Sequence, residues 1–515
     1  MSNVAEPQTR SESFEKEHRI SPSYSRSSST PSSSPESSTE KDLVVSSSTN
    51  VSSMPPSTCP TIAESKSSTR SKTPTTNDPS SAERAQVDAH LPPVDRGMHA
   101  WLFCASVFVI EFLFWGPQSS FGTFQSYYES NPPFNKASST EISAIGTTGL
   151  ALEYGTGIVL MVVFQRHPQY LRVVMYFGLV LWIAGMLAAS FATSVWQLII
   201  CQGVLPGLSA AIISFPTYIW VTHWFVEKRG LASGLIITGA SLGGVCLPQM
   251  LDALLVHVGF QWTMRIWVLI TAVLGVAALH FARPRLPVGM VARGAYPVFS
   301  FRALIQGPFI AVASASLLQA AGYFPVTVFL PTQAAQLGIS NPNILLSALN
   351  LASIPGRLIW GQLSDKYGYA SLMTISAAGS AVLAFLLYGF ANGLAMLLAF
   401  SLLFGLIAGG YSSMWAQAAR RISDKEPEYV PVLYSVLFVA RGIGCIAGPL
   451  VASILYRPES GSGAGINGSV YGLHDSGILS IFIGSLLGVS ALVCLGAYVH
   501  KLSTLWTKSF NGDRA

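Results

Sequence analysis

Residues 195–223 read VWQLIICQGVLPGLSAAIISFPTYIWVTH and contain no Asp, Glu, Lys or Arg, and the basic pair Lys228-Arg229 follows soon after. An apolar run of this length exceeds the roughly 20 residues that, at about 1.5 Å each, cross some 30 Å of hydrocarbon. Runs of the same kind recur from Trp101 almost to the chain end, at about 99–122, 141–164, 171–191, 195–223, 229–256, 263–282, 304–333, 343–364, 370–391, 393–417, 429–456 and 476–500. Twelve spans of this character predict an all-α membrane protein, because a helix satisfies its own backbone in lipid. Pro117, Pro216, Pro325 and Pro355 fall inside these runs, where neighbouring helices are expected to absorb them.

The basic residues set the expected orientation, since Lys and Arg accumulate in cytoplasmic loops. Segments after even-numbered spans carry Arg166, Arg172, Lys228, Arg229, Arg283, Arg285, Arg293, Arg302, Lys366, Arg420, Arg421 and Lys425. Segments after odd-numbered spans carry little beyond Lys136 and Arg457. This asymmetry places both termini in the cytoplasm and favours twelve spans over eleven. Between spans six and seven, ARPRLPVGMVARGAYPVFSFR at 282–302 is basic and punctuated by Pro and Gly, and it divides the spans into two sets of six. The expected organisation is a cytoplasmic tail at 1–93, a six-helix half at 94–282, a central cytoplasmic loop at 283–303, a second six-helix half at 304–503 and a short cytoplasmic tail at 504–515. Asn467, in Asn-Gly-Ser, falls in the last outer loop and is a candidate N-glycan acceptor, whereas Asn50 lies in the cytoplasmic tail and is not.

Composition supports lipid as the main solvent. Half of the 515 residues are hydrophobic and only 11% are charged, against about 25% in soluble domains. The net charge of +5 comes from basic residues scattered between apolar runs, so no nucleic-acid surface is indicated. Of the six cysteines, Cys104, Cys201, Cys246, Cys445 and Cys494 lie in apolar runs and Cys59 in the tail, with no C-x-x-C pair. Neither a disulfide framework nor a zinc site is readable. No nucleophile-base constellation, metal spacing or phosphate loop points to an enzyme, and no cofactor is implied. The tail, typified by SYSRSSSTPSSSPESSTE at 23–40, lacks the apolar side chains that offset ordering and reads as disordered, either a phosphate acceptor or a spacer. It holds no apolar signal-peptide core, so the first span is expected to direct insertion.

Glycines four residues apart recur as Gly203/Gly207, Gly230/Gly234, Gly239/Gly243, Gly405/Gly409 and Gly444/Gly448, a spacing that lets membrane helices approach closely. Four charges fall at membrane depth, namely Glu111, Glu153, Arg357 and Arg441. An unpaired charge in hydrocarbon costs a few kcal/mol, so each faces a cavity or a partner. Arg357 or Arg441 can hold a carboxylate through two parallel hydrogen bonds; the alternative for each charge is a static interhelical ion pair or helix-packing clamp. Glu111 either titrates or neutralises an arginine. Phe114, Trp115, Phe121, Phe124, Tyr323, Phe324, Tyr411 and Trp415 are candidates to line a path and stack on a planar solute. Asn350 and Gln417 are polar additions, either solute contacts or interhelical bonds.

Gly361-Gln-Leu-Ser-Asp365-Lys366-Tyr-Gly368 resembles the G-x-L-x-D-x-x-G loop motif of major facilitator transporters. Its carboxylate and adjacent cation are suited to pairing across helices at a turn and holding one state of a rocking cycle closed; Asp365, Lys366, Lys228 and Arg229 are the candidate gating residues. The first-half counterpart, VVFQRHPQYLR at 162–172, is basic and lacks the acidic member. Ser120-Phe-Gly-Thr-Phe-Gln-Ser-Tyr-Tyr128, Trp224-Phe225-Val-Glu-Lys228-Arg229-Gly230-Leu-Ala232-Ser-Gly234 and Arg441-Gly-Ile-Gly-Cys-Ile-Ala-Gly-Pro449 resemble stretches of the monocarboxylate-transporter-like family, particularly its fungal members. The likeness runs from about Pro92 to the end. It implies a major facilitator fold and alternating access around a midplane site. Proton-coupled members of that family have a lysine in helix 1 before the S-F-G stretch, where this chain reads Trp115-Gly-Pro-Gln118-Ser119. They also have an aspartate four residues before the helix-8 arginine, where this chain has Ser353 before Arg357.

Three functions follow as expectations. The first is a secondary transporter of a monocarboxylate or related organic acid, with Arg441, Arg357, Glu111, Asn350 and Tyr323 as substrate-binding candidates. The alternative is an exporter of a secondary metabolite or drug-like compound, to which the missing lysine and aspartate and the many aromatics point. The third is a non-transporting nutrient sensor, against which the short segment after Leu505 counts. The expected partners are a small-molecule solute, a coupled proton as an option, and membrane lipid, with the chain acting as a monomer. The expected location is the cell membrane, multi-pass, with a vacuolar or other organelle membrane as the alternative.

Overall fold

The computed structural model describes residues 91–286, 304–339, 341, 343–423, 429–455, 471 and 476–512, of which Ser476 and 500–512 are described by backbone course alone. The tail as far as residue 90, most of the central loop, the last three residues and the Asn467 sequon lie outside the described residues. Among the described residues all regular structure is helical.

The helices follow the apolar runs. α1 is Met98–Phe114, α2 is Ser139–Gly155 continued by Gly157–Arg166, α3 is Leu171–Ala189, and α4 is Val195–Trp224. α5 and α6 are the two arms of Arg229–Phe281, α7 is Gly307–Gln336, and α8 is Asn343–Lys366. α9 is Tyr369–Tyr388, α10 is Leu394–Ile422, α11 is Val430–Leu455, and α12 is Ser476–Gly512. Among the described residues ten helices are long and apolar enough to cross a membrane, with the 53-residue Arg229–Phe281 counted once. A straight helix of that length would run about 80 Å, far beyond a bilayer. It breaks instead at Gly259, whose φ of 76° and ψ of 170° suit glycine and few other residues. Counting its arms separately and adding the shorter α1 accounts for the twelve predicted spans.

Two boundaries differ from expectation. The first span ends as a regular helix at Phe114, and Gly116–Ser119 and Phe121–Ser130 continue it as short pieces. Pro117 sits in the first turn of the next piece, where its missing N–H costs nothing; the chain breaks around this proline rather than absorbing it. At the other end, α12 continues as helix to Gly512, past the run expected to end at about 500, although its span of membrane-crossing character is Gly477–Val499. Pro216, Pro325 and Pro355 do lie inside continuous helices. α2 begins with a capping box in which the Ser138 hydroxyl accepts from the Glu141 N–H and the Glu141 carboxylate accepts from the Ser138 N–H.

All five glycine pairs lie in helix contacts. A methyl group built at Gly203 or Gly207 of α4 meets the backbone of α2, at Gly239 or Gly243 of α5 it meets α1, and at Gly444 or Gly448 of α11 it meets α7. At Gly405 of α10 the obstacle is α8 and at Gly230 or Gly234 of α5 it is also α8. The α5–α8 contact joins the two six-helix halves, as does the contact of α2 with α11. Outward-facing Val159, Val173, Phe177, Val180, Leu269, Ile454 and Leu492 are exposed, an apolar coat that suits hydrocarbon rather than water.

Candidate functional site

The four intramembrane charges gather on the helices at the boundary between the halves, and none forms an ion pair among the described residues. Glu111 of α1, 2% exposed, accepts a 2.7 Å hydrogen bond from the Tyr218 hydroxyl of α4. Arg357 of α8 donates from Nη1 to the Ile237 carbonyl of α5 at 2.9 Å, and its Nε is buried without a partner. Arg441 of α11, 8% exposed, donates from Nη1 to Oε1 of Gln319 on α7 at 3.0 Å. Glu153 of α2 is fully buried, and neither carboxyl oxygen has a hydrogen-bond partner. Among the described residues the static ion pairs weighed for these charges do not form, while Glu111, Arg357 and Arg441 each make an interhelical hydrogen bond of the kind a helix-packing clamp makes.

Three aromatic faces compensate Arg441 instead. Its guanidinium carbon lies 5.6 Å from the Tyr323 ring centroid, 5.1 Å from that of Phe324 and 5.6 Å from that of Trp415. A desolvated contact of this kind is worth about 2 kcal/mol, and a charged hydrogen bond about 1.5–3 kcal/mol. Burying a guanidinium costs several kcal/mol, so the rings, one amide and the nearby Tyr154 hydroxyl offset that cost while leaving N–H groups beyond these contacts for an oxygen ligand. Tyr323 is held by stacking on Phe404, with centroids 5.8 Å apart and planes at 14°.

An aromatic cluster lies beside this cation, and Phe438 of α11 is its centre. Phe438 meets Trp115 of α1, Tyr154 of α2, Phe215 and Tyr218 of α4, Trp415 of α10 and Tyr434 of α11, with centroid separations from 4.9 Å (Tyr218) to 6.0 Å (Tyr154). Rings from both halves thus meet around one side chain. Tyr218, Tyr434 and Arg229, with Ile236, Ala416 and Val430, line a small cavity of about 20 Å³, room for little more than a water molecule.

Several candidates stand elsewhere. The Asn350 amide packs on Gly244 where α8 crosses α5, apart from the Arg441 rings. Phe114 is edge-on to Trp182 inside the first half, Phe124 stacks on Tyr128, and the Tyr411 hydroxyl lies against Cys494. Gln417 donates to Asp365, so it serves an interhelical contact. Ser353 of α8 shares a 2.7 Å hydrogen bond with Ser241 of α5.

At the end of the bundle bearing the basic loops, the halves are latched. Asp365 at the end of α8 accepts from the backbone N–H groups of Gly230 (2.7 Å) and Leu231 (2.9 Å) in the first turn of α5, where the helix dipole favours a carboxylate. Arg420 of α10 donates to the Val226 carbonyl across the same boundary. The loop it reaches is braced from within the first half: Asp95 accepts from the N–H groups of Val226, Glu227 and Lys228 at 2.9–3.1 Å. Arg229 turns back to the Phe225 and Thr222 carbonyls at 3.0 and 3.1 Å. Of the four gating candidates, Asp365 bridges the halves directly and Arg229 shapes the loop, while the Lys228 and Lys366 side chains are exposed. The acid pairs with a helix terminus rather than with the neighbouring cation.

Sequence reading missed Gln319, Tyr218, Phe438, Arg420 and Asp95 as members of these constellations. Gln319, a lone amide in an apolar run, carried a readable signal. Phe438 carried none, since an aromatic residue in an apolar helix looks the same whether it meets lipid or other rings.

An all-helical bundle in two halves, with a polar and aromatic centre between them and a latch at one end, is the build of a polytopic solute transporter. The chain belongs to the Major Facilitator Superfamily, whose family model matches residues 100–449. It is similar to "MFS-type transporter 1" of Ophiocordyceps sp. (strain BCC 1869), 31% identical over 67% of this chain and 78% of that protein. It is also similar to the "Fujikurins efflux protein" of Gibberella fujikuroi, 27% identical over 65% of this chain and 72% of that protein. The solved structure of the human organic anion transporter MFSD10 (TETRAN) superposes with a TM-score of 0.59 at 14% identity, covering 78% of this chain and all of that one, a likeness of fold.

Proposed function

We propose that the protein exports a secondary metabolite, a planar and largely apolar organic compound with an acidic or carbonyl edge. The observation that carries this reading is Arg441: a buried guanidinium with aromatic faces around it and no described carboxylate on it. Such a site suits a conjugated ring system against Phe324, Trp415 and Phe438, with a carboxylate, enolate or carbonyl oxygen on the free N–H groups. The similarity to a relative named for efflux supports the outward direction.

Import of a short monocarboxylate is the weaker reading. The family's helix-1 lysine is absent, and Ser353 and Ser241 occupy the place of its helix-8 acid. Under the proposed orientation the basic end is cytoplasmic. The latch of Asp365 and Arg420 then closes the cytoplasmic side, with the cell membrane as the site of action. Proteoliposomes containing the protein test the solute class, with fluorescein as a planar carboxylate and lactate as the short acid. Arg441-dependent movement of fluorescein supports the proposal. Movement of lactate alone returns the protein to monocarboxylate transport.

A further inference from the structure

We infer that Glu153 of α2 is the residue that binds and releases the coupled proton, and that contact between α2 and α11 seals it in the latched state. This rests on the transport reading only for the use made of the proton. Glu153 is fully buried, both its oxygens lack hydrogen-bond partners, and no described cation is paired with it. A carboxylate so placed costs several kcal/mol more than the neutral acid, so the acid form belongs to this arrangement. Glu111, by contrast, has its Tyr218 hydroxyl donor.

The surroundings supply a way to open the site. Tyr154, the next residue, packs its β-carbon against Gly442 of α11, where a side chain on the glycine would clash. Immediately beyond it, α2 runs through Thr156, flanked by Gly155 and Gly157, where ψ relaxes to −11° although the Thr156 N–H still bonds to the Leu152 carbonyl. Gly155 has open space around it while Gly157 faces the Phe215 ring. The chain can therefore bend just past Glu153 when the halves part. The titratable groups facing Glu153 are Tyr154 on its own helix, Glu111 on α1, Tyr218 on α4 and Cys445 on α11, with Arg441 reaching it through Tyr154 and Cys445 and Arg357 of α8 through Glu111. Two acids on adjacent helices disfavour simultaneous charge, so separating α2 from α11 and admitting water lets Glu153 give up its proton. Arg441 shares this surface through Tyr154. Proton and solute thus compete for one polar centre, which is the arrangement exchange of one for the other requires.

The experiment uses the purified full chain in lipid nanodiscs, with the proton as the probe. Infrared difference spectra between acidic and alkaline buffer read the carbonyl band of a protonated carboxyl group. In parallel, maleimide labelling of Cys445, buried here, reads opening of the α2–α11 contact in a background lacking the other cysteines. Wild type is expected to show an acid carbonyl band that disappears on alkalinisation, and Cys445 labelling that increases with it. Glu153→Gln should lose the band's pH response, and its labelling should stay at the low, sealed level beyond the ordinary pH dependence of a thiol. Glu153→Asp should restore both responses. An unchanged band in Glu153→Gln, or labelling that still rises as in wild type, overturns the assignment. Because neither readout needs a solute, a wrong choice of exported compound leaves this result intact.

Discussion

Asp365 accepts a 2.7 Å hydrogen bond from the backbone N–H of Gly230, joining the end of α8 in one half to the start of α5 in the other. A charged side chain on an otherwise orphan helix N–H is among the stronger contacts available in a loop, about 1.5–3 kcal/mol. It forms only while the two helix ends are together. The bond is therefore a contribution to one conformational state rather than to the fold as a whole.

Asp365→Asn removes the charge and keeps the shape. The substitution is expected to lower the population of the latched state by roughly tenfold, on the basis of about 1.4 kcal/mol lost. Turnover should fall while the half-saturation concentration for solute changes little. Cysteine accessibility at the basic end, together with transport rates over a range of solute concentrations, checks this; a raised half-saturation with unchanged turnover contradicts it.

Gly361→Ala tests the packing beneath that bond. A methyl at Gly361 meets the Gly230 carbonyl, and one at Gly230 meets the Gly361 carbonyl and the Asp365 carboxylate. Overpacking of this kind costs about 1–3 kcal/mol. The variant should reach the membrane yet hold its basic end open, which labelling of that end would show as increased accessibility.

Arg441→Lys separates charge from shape. Lysine keeps the cation but loses the planar fork and the stack against Tyr323, Phe324 and Trp415. Transport should fall nearly as far with Lys as with Ala, with membrane abundance unchanged in both. Wild-type transport in Arg441→Lys would show that charge alone is sufficient.

Phe438→Ala removes the ring on which six others converge. The expected loss is about 3–5 kcal/mol of packing, read as a lower melting temperature of the detergent-solubilised protein. Phe438→Leu should recover part of that stability while leaving affinity for planar solutes reduced, a split that a purely structural ring would not produce.

Much of the fold was legible because it rests on periodicities that water and lipid impose. Apolar run length located the spans, and the glycine pairs marked faces of close helix approach, whose partners, α2 for α4 and α1 and α8 for α5, only the fold supplies. The loop motif singled out Asp365. Its partner was not legible, because the donor is a backbone N–H at a helix terminus 135 residues away and leaves no side-chain trace. The same limit applied within the membrane. Glu111, Glu153, Arg357 and Arg441 stood out as costly residues, but whether each meets a hydroxyl, a carbonyl, a ring or nothing depends on helix rotation, to which one residue's identity is silent. Pro117 misled for a related reason: a proline reads alike inside a kinked helix and in the first turn of a new one.

Metabolite profiling of the medium and cell interior, in cells lacking the protein, cells overproducing it and cells carrying Arg441→Ala, tests the export proposal most directly. Export predicts a compound with a planar conjugated core that is retained inside the deletion cells, enriched in the medium on overproduction, and retained again in the Arg441→Ala cells. Identical media in all three, with overproduction instead raising uptake of a labelled short monocarboxylate, would contradict export and make the protein an importer of small acids.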